Sequence, residues 1–114
     1  MLDINNYITN YLVMKLITHI PEAWSDISDL FVALGDAHRQ RILLSFDKNE
    51  RLTILQIAEN SKLSRTAVTH HLKVLERGGA LQSEKIGREV YFWVKKDWMQ
   101  QALQNVMTYL KEEI

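Results

Sequence analysis

Residues 64–77 of this 114-residue chain read Ser-Arg-Thr-Ala-Val-Thr-His-His-Leu-Lys-Val-Leu-Glu-Arg, and they hold the side chains whose types and spacing most clearly suggest chemistry. Wound at about 3.6 residues per turn, Thr66, Thr69, His70, Lys73 and Arg77 share one side, while Val68, Leu72 and Leu75 line the other. The polar side carries no acid until Glu76. Hydroxyl and imidazole groups match the donors and acceptors on base edges, and Lys and Arg match phosphates. Ser64 can cap such a helix, and Arg65 would open it beside free backbone amides that favour an anion. Lys62 lies just upstream. Farther on, Lys85 and Arg88 stand beside Gly87 at a predicted hairpin turn, where Arg suits a phosphate or a narrow, electronegative minor groove. The plainer reading of Gly87-Arg88 alone is a solvated hairpin tip.

Other chemistries find little support. The chain has no cysteine, which excludes disulfides, thiolate metal sites and thiol redox switches. His70 and His71 are adjacent, so on a helix they point about 100° apart and do not chelate one ion together. His19 and His38 lie in separate segments. His71 is read as packing inside the motif, His70 as facing outward. No nucleophile is paired with a base, and no glycine-rich phosphate loop is present. The chain is therefore expected to have no catalytic residues, no metal ligands and no cofactor.

The elements that must position these residues follow from periodicity. Ile4, Tyr7, Ile8, Tyr11, Leu12 and Leu16 have helical spacing, with Asp3 as a cap. Beyond Pro21, a second helix is predicted over 22–34, with Ile27, Leu30, Phe31 and Leu34 inward. Gly35 ends it, and Asp36 caps a third helix over 37–46. Thr53-x-x-Gln56 is a capping-box pattern opening a short helix to Asn60. Ser64 caps the helix over 65–77, which Gly78-Gly79 stops. The period then changes to two. Leu81–Ile86 and Glu89–Val94 read as a hairpin in which Val90, Phe92 and Val94 face one way, Tyr91 and Trp93 the other. Asp97-x-x-Gln100 is predicted to cap a last helix. Ala58 is small enough for the 65–77 helix to cross closely, and Leu63 fills the corner. A short helix, a tight break, a longer helix and a hairpin form the order of a winged helix-turn-helix. The expected fold is mainly α with a β-hairpin, in a single domain over 1–114.

Net charge is zero, but it is unevenly spread. Residues 1–61 carry five basic and eight acidic groups, residues 62–96 eight basic and three acidic, and residues 97–114 one basic and three acidic. The middle stretch is thus +5 on an otherwise acidic chain, which fits a surface facing a polyanion. Hydrophobic residues make up 46% and charged residues 25%, as expected of a globular domain and not of a disordered one. No apolar run approaches a membrane span and the N-terminus has no leader pattern, so a cytoplasmic protein is expected. The outer helices carry more apolar surface than so small a monomer should expose. Ile4, Tyr7, Ile8, Tyr11 and Leu12 of the first, with Met99, Leu103, Val106, Met107 and Leu110 of the last, are expected to form a homodimer interface. Trp24, Trp93, Trp98 and the tyrosines are read as packing, with a small-molecule pocket as the alternative.

The stretch 31–94 resembles the ArsR/SmtB family of winged-helix repressors. Leu34-Gly35-Asp36-Ala37-His38-Arg39-Gln40-Arg41-Ile42-Leu43 is similar to the family's opening. Leu55 to Ala58, then Leu63 to Leu75, resembles its helix-turn-helix signature. Gly78 to Leu81 and Gly87 to Phe92 resemble the wing. The resemblance implies a homodimeric transcriptional repressor binding a palindromic operator in double-stranded DNA. Lys62, Ser64, Arg65, Thr66, Thr69, His70, Lys73, Arg77, Lys85 and Arg88 are then the expected DNA-facing residues. Two departures stand out. The family often has glycine where this chain has Lys62, which would cost about 1 kcal/mol if the position demands positive φ. The family's cysteine motif falls here on Ile54-Leu55-Gln56-Ile57, and its last-helix site lacks histidine, so metal sensing is not carried over. A protein-interaction module that binds no operator is the competing reading; its face would be more apolar.

Overall fold

The computed structural model describes residues 20–114, so the predicted helix over 4–18 and its share of the proposed interface, Ile4, Tyr7, Ile8, Tyr11 and Leu12, lie outside the described residues. Along the rest, the order is α1 (Glu22–Leu34), α2 (Ala37–Leu44), β1 (Leu52–Thr53), α3 (Ile54–Glu59), α4 (Arg65–Arg77), β2 (Leu81–Ile86), β3 (Glu89–Val94) and α5 (Lys96–Glu112). None of these helices is long and apolar enough to cross a membrane.

Local signals set most of the boundaries. The Asp36 carboxylate accepts from the Arg39 amide at 3.1 Å and starts α2. The capping box at α3 is complete: the Gln56 amide donates to Thr53 Oγ1 at 3.2 Å, and the Thr53 amide to Gln56 Oε1 at 2.8 Å. Ser64 Oγ accepts from the Ala67 amide at 3.1 Å to start α4. The end of α1 is closed by its neighbour. Arg39 donates through Nε to the Ala33 carbonyl at 2.8 Å and through Nη2 to Val32 at 3.0 Å, while Gln40 donates to Leu34 at 2.6 Å. Two side chains of α2 thus satisfy carbonyls that a helix end leaves without partners.

Some boundaries differ from the sequence reading. The last helix begins at Lys96 with Lys95 as its cap residue and no side-chain cap, so Asp97 lies in the first turn, where its charge still favours the positive helix end. α2 stops at Leu44, two residues short of Phe46. The hairpin also gains a third strand. β1 pairs antiparallel with β3 through Leu52↔Phe92 and Thr53↔Tyr91, giving the order β1-β3-β2.

The core gathers one face of every helix. Ile27, Leu30 and Ala33 of α1 meet Ile42, Ile57, the Val68-Leu72-Leu75 stripe of α4, Ala80, Leu81, Phe92 and Ala102. Each fully buried Leu or Val contributes about 1.5–3 kcal/mol by leaving water. Phe31, predicted inward, is 46% exposed; Ala33 takes the buried position. Trp24 of α1 meets Tyr109 of α5 edge to face, with ring centroids 5.1 Å apart. Trp98 packs over Gly79, whose φ of +80° lets the chain leave α4 toward β2.

Candidate nucleic-acid interface

The two sides of α4 separate as its periodicity requires. Val68, Leu72 and Leu75 are fully buried, and Thr66, His70, Lys73 and Arg77 are exposed. Burying the apolar stripe against α1 and α3 leaves the polar side no orientation but outward. Thr69 is half-buried, and its hydroxyl donates to the Arg65 carbonyl at 2.8 Å, so it offers a methyl group and a lone pair outward. Ser64 is exposed; its oxygen caps the helix while its proton stays available to an acceptor. Arg65 is exposed at the first helical position.

The turn before α4 is built locally. The Leu63 amide donates to Ser61 Oγ at 3.0 Å, and Leu63 is half-buried against the core. Among the described non-glycine residues positive φ occurs only at Asn49, so Lys62 occupies its position without the strain considered above, and it is exposed.

Beyond α4 the hairpin projects a second cationic element. The Gly87-Arg88 loop closes on the pair Ile86↔Glu89, with φ of +63° at Gly87 and no positive φ at Arg88, the pattern of a type II′ turn. Lys85 and Arg88 are exposed. The Ser83 hydroxyl donates to the Glu76 carboxylate, which fastens the wing to α4 and occupies the one acid of that helix. At the sheet's other edge Arg51 lies 4.1 Å from the Trp93 ring centroid and 3.4 Å from Glu84. Among the described residues, the ion-pair contacts are Arg51–Glu84 and His71–Asp36. Lys62, Arg65, Lys73, Arg77, Lys85 and Arg88 therefore have no acidic partner there, and their charge is directed at solvent.

Two functional features escaped the sequence reading. One is the Ser83–Glu76 tie. The other is a polar cluster behind α4. His71 is half-buried, and its Nδ1 lies 3.2 Å from Arg39 Nη1 and 4.0 Å from Asp36 Oδ2. Its ring stands 5.6 Å from those of His38 and His70. His71 is thus no plain core residue. The Arg39 amide beside it holds the Asp36 carboxyl below the usual aspartate range, with Arg39, His71 and His38 charges acting the same way. Burial lowers the His71 pKa, with Arg39, His70 and His38 adding to the effect and Asp36 opposing it. No three His, Asp or Glu among the described residues are grouped to hold a metal ion.

Residues 36–82, which span the cap of α2 through the first residues of β2, match the family model described as winged helix-turn-helix DNA-binding. The chain is 27% identical over 86 residues to the transcriptional repressor SmtB homolog of Synechocystis sp., aligning 75% of its own length with 64% of that protein's. It thus spans just under two thirds of that relative. It is 22% identical over 86 residues to the transcriptional repressor SdpR of Bacillus subtilis, of which it covers 94%. Its fold superposes on an ArsR-like transcriptional regulator from Rhodococcus sp. RHA1 with a TM-score of 0.71 at 23% identity, over 79% of this chain and 84% of the other. The chain carries a winged helix-turn-helix domain, and the proteins it resembles are named as regulators of the ArsR/SmtB type. The matched region of the chain holds α2, α3 and α4, so the cluster formed by Asp36, Arg39 and His71 lies wholly within it.

Proposed function

We propose that the chain is a sequence-specific DNA-binding transcriptional repressor that acts in the cytoplasm as a homodimer on a palindromic operator. The observation that carries this reading is the exposed side of α4, free of acids from Arg65 to Lys73 and continuous in sequence with cations that lack acidic partners. Thr66, Thr69 and His70 read base edges in the major groove; Ser64, Arg65, Lys73 and Arg77 fix the backbone; Lys62 flanks it from the turn; Lys85 and Arg88 reach a phosphate or the minor groove from the wing. The repressor names of the Synechocystis and Bacillus relatives support the direction of regulation. The chain performs no catalysis in this reading and needs no cofactor.

Selection of a duplex from a random library, followed by binding measurements across salt concentrations, tests the proposal. Affinity should fall linearly with salt on logarithmic axes because each neutralised phosphate releases counterion. Arg88→Ala should weaken binding and lower that slope by about one per subunit. Enrichment of no sequence, together with no duplex binding at low salt, would leave the protein-interaction reading in its place.

A further inference from the structure

Arg39 joins three helices. From α2 its guanidinium donates to the Val32 and Ala33 carbonyls at the end of α1 and contacts His71 Nδ1 on α4 at 3.2 Å. A guanidinium only donates, so this last contact needs a lone pair on Nδ1 and assigns the neutral His71 ring its proton at Nε2. His71 follows His70 directly, so whatever fixes its ring also fixes the helix turn that carries Thr69, His70 and Lys73. A second partner waits nearby, since Asp36 Oδ2 stands 4.0 Å from the same nitrogen. The charged and titratable groups around the ring are Asp36, Arg39 and His38 of α2 and His70 of its own helix. His38 is itself engaged, its Nδ1 accepting from Arg41 Nη2 at 2.7 Å.

We infer that His71 is a proton-responsive positioning residue for α4: neutral, it accepts from Arg39 and holds the helix in its reading position; protonated at Nδ1, it repels Arg39 and donates instead to Asp36. The inference rests on the DNA-binding reading above and adds acidity as a signal to it. No bond is broken other than the hydrogen bond, and the proton comes from solvent. The two arrangements differ in which atom of α2 the recognition helix is tied to, which is what a two-state element requires. Burial of His71 places the change on the acid side of an ordinary histidine.

The test uses the full chain carrying His70→Asn, so that no second imidazole adjoins the ring on α4, and a duplex selected at neutral pH with that same variant, since His70 is itself placed among the base-reading residues. Affinity should drop by about tenfold from about pH 7.5 to about pH 5.5, the size of one lost charge-assisted hydrogen bond. Adding His71→Asn, whose amide oxygen substitutes for Nδ1 as acceptor without titrating, should leave affinity at the neutral-pH level across that range. An unchanged pH profile in the double variant overturns the inference, as does nitrogen NMR showing the neutral ring protonated at Nδ1. If the unmodified chain binds no duplex at any pH, the DNA-binding reading fails, and the change of partner at His71 is still read from amide shifts. Residues 65–77 should move with pH in the His70→Asn chain and stay fixed once His71→Asn is added; movement in both sinks it.

Discussion

At the scale of single residues, Arg39 and Asp36 do more than their place in a short amphipathic helix suggests. Asp36 starts α2, Arg39 ends α1, and both face His71. Titration of His71 and Asp36 gives a stability prediction whose sign is fixed. The folded His71 pKa is lowered, so below about pH 6.5 the unfolded chain binds the proton more readily. The stability from keeping the ring neutral is present above that value and lost as pH falls through the folded pKa. Asp36 is also lowered, so its contribution is present above about pH 4 and lost in a second, more acid window. Thermal melts should show the midpoint falling through both windows on acidification. His71→Asn should remove only the upper one, and a midpoint that rises below pH 6.5 in the unmodified chain would contradict the account.

At the scale of elements, the connection from α4 to the wing depends on two glycines in different ways. Both have positive φ, but a Cβ on Gly79 would collide with the Trp98 ring, whereas a Cβ on Gly87 would meet nothing within 4 Å. Gly79→Ala should therefore cost about 2–4 kcal/mol, combining overpacking with backbone strain, and Gly87→Ala about 1 kcal/mol from strain alone. Urea unfolding midpoints measure the difference, and equal costs would mean that Trp98 swings clear without penalty. The caps of α2, α3 and α4 were legible in the sequence because each joins residues three apart. The cap of α5 was not, because Lys95 lends no side chain to it. Its place is set where β3 ends, by the Lys95 amide bonding back to Ala80 at 2.9 Å.

At the scale of the whole molecule, α5 turns Ala102 inward, half-buries Met99 and Val106, and leaves Leu103, Met107 and Leu110 exposed by 45%, 62% and 53%. An apolar stripe this open on a described helix is what the proposed two-fold interface would cover, and in a symmetric dimer each substitution counts twice. Met107→Glu combined with Leu110→Glu should raise the dimer dissociation constant about a hundredfold or more, at about 1.5–3 kcal/mol per side chain left in water. Because both residues are exposed, circular dichroism and the urea midpoint of dilute protein should barely change. Sedimentation equilibrium showing an unaltered oligomeric state would remove α5 from the interface.

Sequence alone determined the described helices, the caps of α2, α3 and α4 and the two-sidedness of α4, because these depend on contacts within a turn or two and on apolar spacing. It also determined which residues could meet a polyanion, because charge and hydrogen-bonding type belong to the side chain itself. Tertiary structure decided what required distant parts of the chain to meet. Leu52 and Thr53 become a strand only because Phe92 and Tyr91 arrive beside them, and the Glu76 carboxylate gains a hydrogen-bond donor only because Ser83 folds back onto it. His71 gains a choice of partners only because α2 crosses behind α4. Loop closure and burial create these contacts, and neither leaves a local pattern to read.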